Sequence, residues 1–235
     1  MASGKEEQIY QMFDRIAPTY DAVNRVLSFG QDRVWRQKLC DAVPKDGALS
    51  VLDVATGTAD LLLALCQKRP NINEAMGVDL SSNMLSIGQK KIQQSNLNTK
   101  IKLLNADGAA LPFLDQSFDI VCIAFGIRNI AKEAEALCEM RRVLKPRGIL
   151  LILEFSLPES LFIRLPYLVY FRFILPFIGG IISKEPAAYR YLNHSVEQFP
   201  KPEQFRDRVF DAGFAEVSYT ALSLGIATLY CARKA

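Results

Sequence analysis

Val51-Leu52-Asp53-Val54-Ala55-Thr56-Gly57-Thr58-Ala59-Asp60-Leu61 decides the architecture of this chain. An apolar strand runs into Asp53, turns through small residues and opens a leucine-rich helix. Gly77-Val78-Asp79 follows about 20 residues later, a second strand ending in a carboxylate, at the spacing with which βαβ units hold a nucleoside by its ribose hydroxyls. The glycine pattern is too short for a dinucleotide fingerprint. Asp60 also puts an acid in the first helical turn, where a phosphate would be repelled. A positively charged nucleoside without phosphates is favoured, and S-adenosylmethionine fits.

Outward from this unit the chain alternates strand and helix. Strands are expected at Leu49–Val54, 75–79, 100–105, Phe118–Ala124 and 148–155, with helices at Asp60–Lys68, 83–95 and 131–144. Ser81 is placed to cap the second of these helices, and Lys145-Pro146-Arg147-Gly148 has the composition of a turn. Upstream, Ile9, Met12, Phe13 and Ile16 share one helical face that Pro18 ends, and Asp32 is placed to cap a helix presenting Trp35, Leu39 and Val43. Downstream, the stretch 156–200 reads as irregular and aromatic. A helix at 202–212 and strands at 215–220 and 226–231, forming a hairpin at the sheet edge, close the chain. Such alternation implies an α/β fold with a mostly parallel seven-stranded sheet and helices on both faces, the Rossmann-like fold of class I methyltransferases.

Composition bounds the function. The 235 residues carry a net charge of +3 and are 50% apolar, enough for a single domain, 1–235, with a substantial core. Basic and acidic residues alternate without a basic stripe, so nucleic acid is not expected as a partner. Cys40, Cys66, Cys122, Cys138 and Cys231 lack metal-ligand spacing; no metal is expected, and most read as reduced core residues. The N-terminus lacks the apolar stretch of a secretory signal, so a cytoplasmic location is expected. The apolar run 161–182 is interrupted by Arg164, Arg172, two prolines and Gly179-Gly180. It reads as a surface segment that does not cross a bilayer.

Ligands in open α/β sheets bind beyond the carboxyl ends of the strands. Four such ends carry polar groups. Asp53 and the turn with Gly57 and Thr58 suit a methionyl group, Thr58 offering its hydroxyl and N–H to the carboxylate. Asp79 suits ribose hydroxyls, and Asp107 with Gly108 suits adenine. After the fourth strand, Gly126-Ile127-Arg128-Asn129 aims an arginine at the cleft, where it could stabilise a substrate oxyanion or close a structural ion pair. His194, the only histidine, could accept a proton or be a plain surface residue.

Phe13-Asp14-x-Ile16-Ala17-x-x-Tyr20-Asp21-x-x-Asn24 resembles the opening of the ubiquinone/menaquinone biosynthesis C-methyltransferases. Gly77-Val78-Asp79-Leu80-Ser81, Leu111-Pro112-Phe113, Gly126-Ile127-Arg128-Asn129 and Tyr189-x-Tyr191-Leu192-x-x-Ser195 extend the similarity to the C-terminus. The resemblance implies S-adenosylmethionine-dependent methylation of a ring carbon on a polyprenylated hydroquinone, demethylmenaquinol or the benzoquinol of the ubiquinone pathway. A soluble substrate, or cofactor binding without catalysis, are the alternatives. It implies cofactor contacts at Thr58, Asp79, Asp107 and Gly108; with that chemistry, catalysis is expected from Arg128 with Asn129, His194 or a water accepting the proton, and substrate contacts from Tyr20, Tyr189 and Tyr191. An N-terminal lid over about 1–45, an insertion over about 156–200 that takes the ring and touches the inner face of the membrane, and a homodimer left open complete the expectation. Ala59, Asp107 and Ala124 depart from the family's usual Gly, Asn and Ser, and Ala59 is expected to narrow the room for the methionyl group.

Overall fold

The computed structural model describes residues 4–183 and 185–235, with side chains from residue 9 onward. Seven strands form one sheet in the order β3-β2-β1-β4-β5-β7-β6. β1 (Leu49–Val54), β2 (Ile72–Asp79), β3 (Ile101–Asn105), β4 (Phe118–Ala124) and β5 (Leu144–Phe155) pair in parallel. β7 (Ala227–Arg233) inserts antiparallel beside β5, and β6 (Glu216–Leu222) closes the edge against β7. The seven-stranded α/β expectation holds, including the edge hairpin.

Alternation along β1 divides the core. Val51 faces α3 (Gln31–Ala42), α4 (Asp60–Lys68) and α5 (Ser82–Gln94) with Trp35, Leu62 and Ile92. Leu52 and Val54 face α6 (Glu133–Val143) and α10 (Pro202–Asp211) with Leu137 and Phe205. Ser81 caps α5, its hydroxyl accepting the Met84 N–H at 3.1 Å.

Three local expectations are corrected and one unexpected helix is added. α3 is not capped by Asp32: Gly30, at φ +76°, takes the N-cap position, and the Asp32 carboxylate turns to Ser28 and Arg36 instead. The tetrapeptide 145–148 is a bulge at the start of β5, where the register skips from Phe118↔Leu144 to Ile120↔Ile149. The chain after Pro18 continues as α2 (Tyr20–Leu27) beyond α1 (Gly4–Ile16) and a single 3₁₀ turn. The aromatic stretch is helical rather than irregular: α7 (Leu161–Val169), a π turn (Tyr170–Ile174) and α8 (Leu175–Ser183) run on continuously, followed by α9 (Pro186–Gln198).

Neither Pro166 nor the glycine pair breaks this helix. The π turn takes up the register change between its halves, and Gly179 is a packing contact, since a Cβ there would lie 2.7 Å from the Tyr189 ring. Phe171 and Leu175 pack with Met12, Ile16, Val23, Leu27 and Tyr189 into a third core that roofs the carboxyl edge of the sheet.

Candidate active site

Two adjoining cavities lie under that roof. The smaller, about 80 Å³, is a crevice at the carboxyl ends of β1 to β4 lined by Ala55, Gly57, Asp79, Asp107, Gly108, Ala124 and Asn129, with Tyr10, Phe13 and Tyr20 above. Asp79 is its anchor. One carboxylate oxygen accepts the Gly57 N–H and the other the Ser81 N–H, both at 2.8 Å, which ties the β1 turn to the start of α5. Burial raises the Asp79 carboxyl, those N–H bonds pulling it back and the charge of Asp14 pushing it further up. Gly108 and Gly126 leave room that side chains would fill, a Cβ meeting Val54 at 2.7 Å and Ala55 at 2.6 Å respectively. Acid at the ribose position, close-approach glycines and no cation in the lining suit a sulfonium nucleoside. The residues present fit S-adenosylmethionine.

Of the expected cofactor residues, Gly57, Asp79, Asp107 and Gly108 come together here, while Asp53 and Thr58 line neither cavity. Asp53 is buried behind the turn, accepting the Thr56 hydroxyl at 2.7 Å. Burial lifts its carboxyl to about 7, Thr56 and Arg36 holding it down and Asp79 pushing it up. Thr58 gives its hydroxyl to Asp21 of α2 at 2.6 Å, and Lys91 reaches the same hydroxyl at 2.9 Å. With the roof in this position the Thr58 hydroxyl is bonded within the protein. Ala59 is fully buried at φ +64°, so the departure from glycine places a methyl in left-handed backbone and takes no room from the crevice.

The larger cavity, about 350 Å³, is walled by Trp35, Phe125, Phe155, Tyr167, Phe171 and Leu192, with the exposed Phe29 and Leu224 also in its lining. Tyr20, Tyr189 and Tyr191 all line it, and Phe13, Tyr20 and Phe125 line both cavities. Arg128 points into it with 6% of its side chain exposed, one nitrogen bonded to Glu154 and to the Phe125 carbonyl, each at 2.6 Å. Its guanidinium lies 5.2 Å from the centre of the Phe155 ring. Asn129 accepts the Tyr191 hydroxyl at 3.0 Å. Burial raises the Glu154 carboxyl and Arg128 lowers it. Burial likewise raises the Tyr20 phenol, with Arg128 and Arg36 opposing, so Tyr20 stays protonated at neutral pH.

His194 is corrected: it lies exposed on α9 and lines neither cavity. The sequence reading missed Glu154 and the Asp32–Arg36 pair. Each had a signal, an acid inside the apolar run of β5 and an acid four residues before a base on one helix.

Comparison with known proteins agrees with this geometry. The model of the ubiE/COQ5 methyltransferase family matches residues 1–234. Among curated relatives, demethylmenaquinone methyltransferase of Thermus thermophilus is 45% identical, covering 93% of this chain and 98% of that protein. The ubiquinone/menaquinone biosynthesis C-methyltransferase UbiE of Geotalea daltonii is 43% identical over 98% of this chain and 97% of its own length. Among solved structures, the [4+2]-cyclase SpnF superposes with a TM-score of 0.72 at 17% identity, covering 97% and 96% of the two chains. An Aquifex aeolicus SAM-dependent methyltransferase gives 0.59 at 18%, covering 85% and 89%. The structural likenesses establish the fold alone, and the cyclase shows that one fold serves different reactions.

Proposed function

This chain belongs to the ubiE/COQ5 methyltransferase family, and from that premise we propose that it methylates a ring carbon of a polyprenylated hydroquinone, converting demethylmenaquinol to menaquinol in quinone biosynthesis. The observation that carries this is the shared wall: Phe13, Tyr20 and Phe125 separate a crevice suited to the cofactor from an apolar chamber suited to a ring. Relatives named for demethylmenaquinone methylation support the substrate class.

When bound, S-adenosylmethionine supplies a sulfonium methyl open to attack by an electron-rich carbon. Asp79 would hold the ribose hydroxyls, and Asp107 with Gly108 the adenine. The chain must then align the ring and enrich its carbon, by drawing the adjacent hydroxyl toward phenolate. Arg128 faces the chamber and remains charged in a dry site, so it lowers the cost of that phenolate. Asn129, oriented by Tyr191, is the neighbouring polar contact. With His194 outside, the proton leaves through chamber water.

We also read α1 and α2 as a lid; of the expected segment of about 1–45, residues 1–3 lie outside the described residues, and α3 belongs to the core, where Trp35, Leu39 and Cys40 are buried against the sheet. The crevice is well under the roughly 300–1,000 Å³ of small-molecule sites, and Tyr10, Phe13 and Tyr20 occupy its upper side. These side chains must shift for a cofactor to enter.

The membrane reading rests on a stripe. Leu161, Leu165, Val169, Phe173, Phe177 and Ile181 recur every four residues along α7 and α8, each more than half exposed. Phe29 joins the stripe to the chamber mouth, its ring 5.7 Å from that of Tyr170. Phe171, Leu175 and Gly179 bury the opposite side against the domain. A helix apolar outside and anchored inside lies on a bilayer surface, and its substrate's tail can stay in the lipid. We therefore assign a cytoplasmic enzyme peripheral to the membrane.

Purified protein, labelled cofactor and the two demethylated quinol heads, assayed side by side, test the assignment. Turnover of the naphthoquinol with the higher kcat/KM is expected; preference for the benzoquinol would move the chain to the ubiquinone pathway.

A further inference from the structure

With the Thr58 hydroxyl bonded to Asp21 and Lys91, only the Thr58 N–H is left for the cofactor's methionyl carboxylate, whose charge calls for a cation. The sheet order says where that carboxylate must lie. With adenine at the end of β3 and ribose at the end of β2, the order β3-β2-β1-β4 carries the methionyl arm over β1 and β4. Among the described residues, the cations lining either cavity are Arg128 and Arg36. Arg128 is held by Glu154 and points toward the ring.

Arg36 lines the larger cavity, beside the wall that the cavity shares with the crevice. It projects from α3 with its guanidinium 5.8 Å from the centre of the Phe125 ring, the residue that follows β4 and lines both cavities. Its charge also reaches the end of β1, since burial raises Asp53 and Arg36 draws it back down. Only 12% of its side chain is exposed, and one nitrogen meets Asp32 at 2.6 Å. Its other N–H groups meet no protein acceptor among the described residues, and a guanidinium has five such donors in a planar fork matched to a carboxylate. Asp32 is itself fixed by the Ser28 hydroxyl at 2.9 Å and by Arg25 at 3.5 Å. A fixed acid beside a base with free donors complements an ammonio-carboxylate. A neutral quinol offers nothing equivalent.

We propose that Arg36 binds the α-carboxylate of S-adenosylmethionine, with Asp32 as the positioning residue that holds the guanidinium over Phe125. The proposal rests on the cofactor assignment and extends it to the part of the molecule that no residue yet holds.

Calorimetry on the full chain tests it by comparing S-adenosylmethionine with its decarboxylated analogue. A charge-assisted pair of this kind corresponds to about 10- to 100-fold in affinity. Wild type should prefer the carboxylated ligand by that factor. Arg36→Met should abolish the preference while leaving the affinity for the analogue unchanged, and Arg36→Lys should recover part of it. Asp79→Ala, as control, should weaken both ligands alike. Equal affinity of wild type for the two ligands overturns the proposal without any variant. Arg36→Met that keeps the preference, or that changes only the KM for quinol, overturns it as well. Absence of any binding by wild type would instead remove the cofactor assignment itself.

Discussion

Two buried acids set the behaviour of individual residues. Glu154 is fully buried and balanced by Arg128. Removing one partner of such a pair costs about 3–5 kcal/mol, because the other is left uncompensated. Arg128→Ala should therefore lose both stability and rate, about 10²–10³ in kcat for one missing transition-state donor. Adding Glu154→Gln should restore the melting temperature and leave kcat low. Recovery of both together would reduce Arg128 to a structural partner. Asp53 gives a pH signature. Its carboxyl is lifted from an ordinary 3.8 to about 7 by burial, so the folded chain keeps a proton that the unfolded chain releases. The associated stability is complete below the lower value and is lost as pH rises through the upper. The urea midpoint of Asp53→Asn should gain on wild type between about pH 4 and pH 7 and level off above; midpoints that run parallel would contradict a protonated Asp53.

At the scale of elements, legibility followed how local the signal was. β1 and β4 were readable to the residue because an apolar run ends at a turn. α2 was not read, although Tyr20, Val23 and Leu27 share one helical face, because Pro18 drew attention as a terminator. It instead sits in the 3₁₀ turn between α1 and α2, where its missing N–H costs nothing. The helix from α7 to α8 was misread for a tertiary reason. Only the Tyr189 ring of α9 explains Gly179, and no local pattern contains it. Both roof elements carry predictions. Protein should co-sediment with anionic liposomes, and Phe173→Ser with Phe177→Ser should reduce that severalfold, since each exposed ring contributes apolar contact; equal partition would dismiss the stripe. Asp21 of the proposed lid accepts the Thr58 hydroxyl and meets Lys91 at 2.5 Å. Asp21→Asn should speed hydrogen exchange in α1 and α2 while β1 and β4 stay protected. Unchanged exchange would leave the roof a fixed part of the core.

For the molecule as a whole, the sheet, the crevice and the family were legible in sequence because strand ends and turn residues are contiguous in the chain. The chamber was not. It is assembled from α1, α2, α3, the helix from α7 to α8, α9, the turn before β7 and the ends of β4 and β5, and no contiguous motif spans those pieces. This is why Arg36 escaped notice and Asp32 was read only as a helix cap, and why His194, placed near the right tyrosines in sequence, faces solvent in space. The central claim is that crevice and chamber act as one site that moves a methyl group onto a ring carbon. Incubating the purified protein with S-adenosylmethionine carrying an isotopically labelled methyl and with demethylmenaquinol, then locating the label by NMR of the extracted lipid, tests it most directly. The label is expected on the ring carbon beside a hydroxyl, in equal amount to the S-adenosylhomocysteine formed. Label on a hydroxyl oxygen, or S-adenosylhomocysteine released without labelled quinol, would contradict the account.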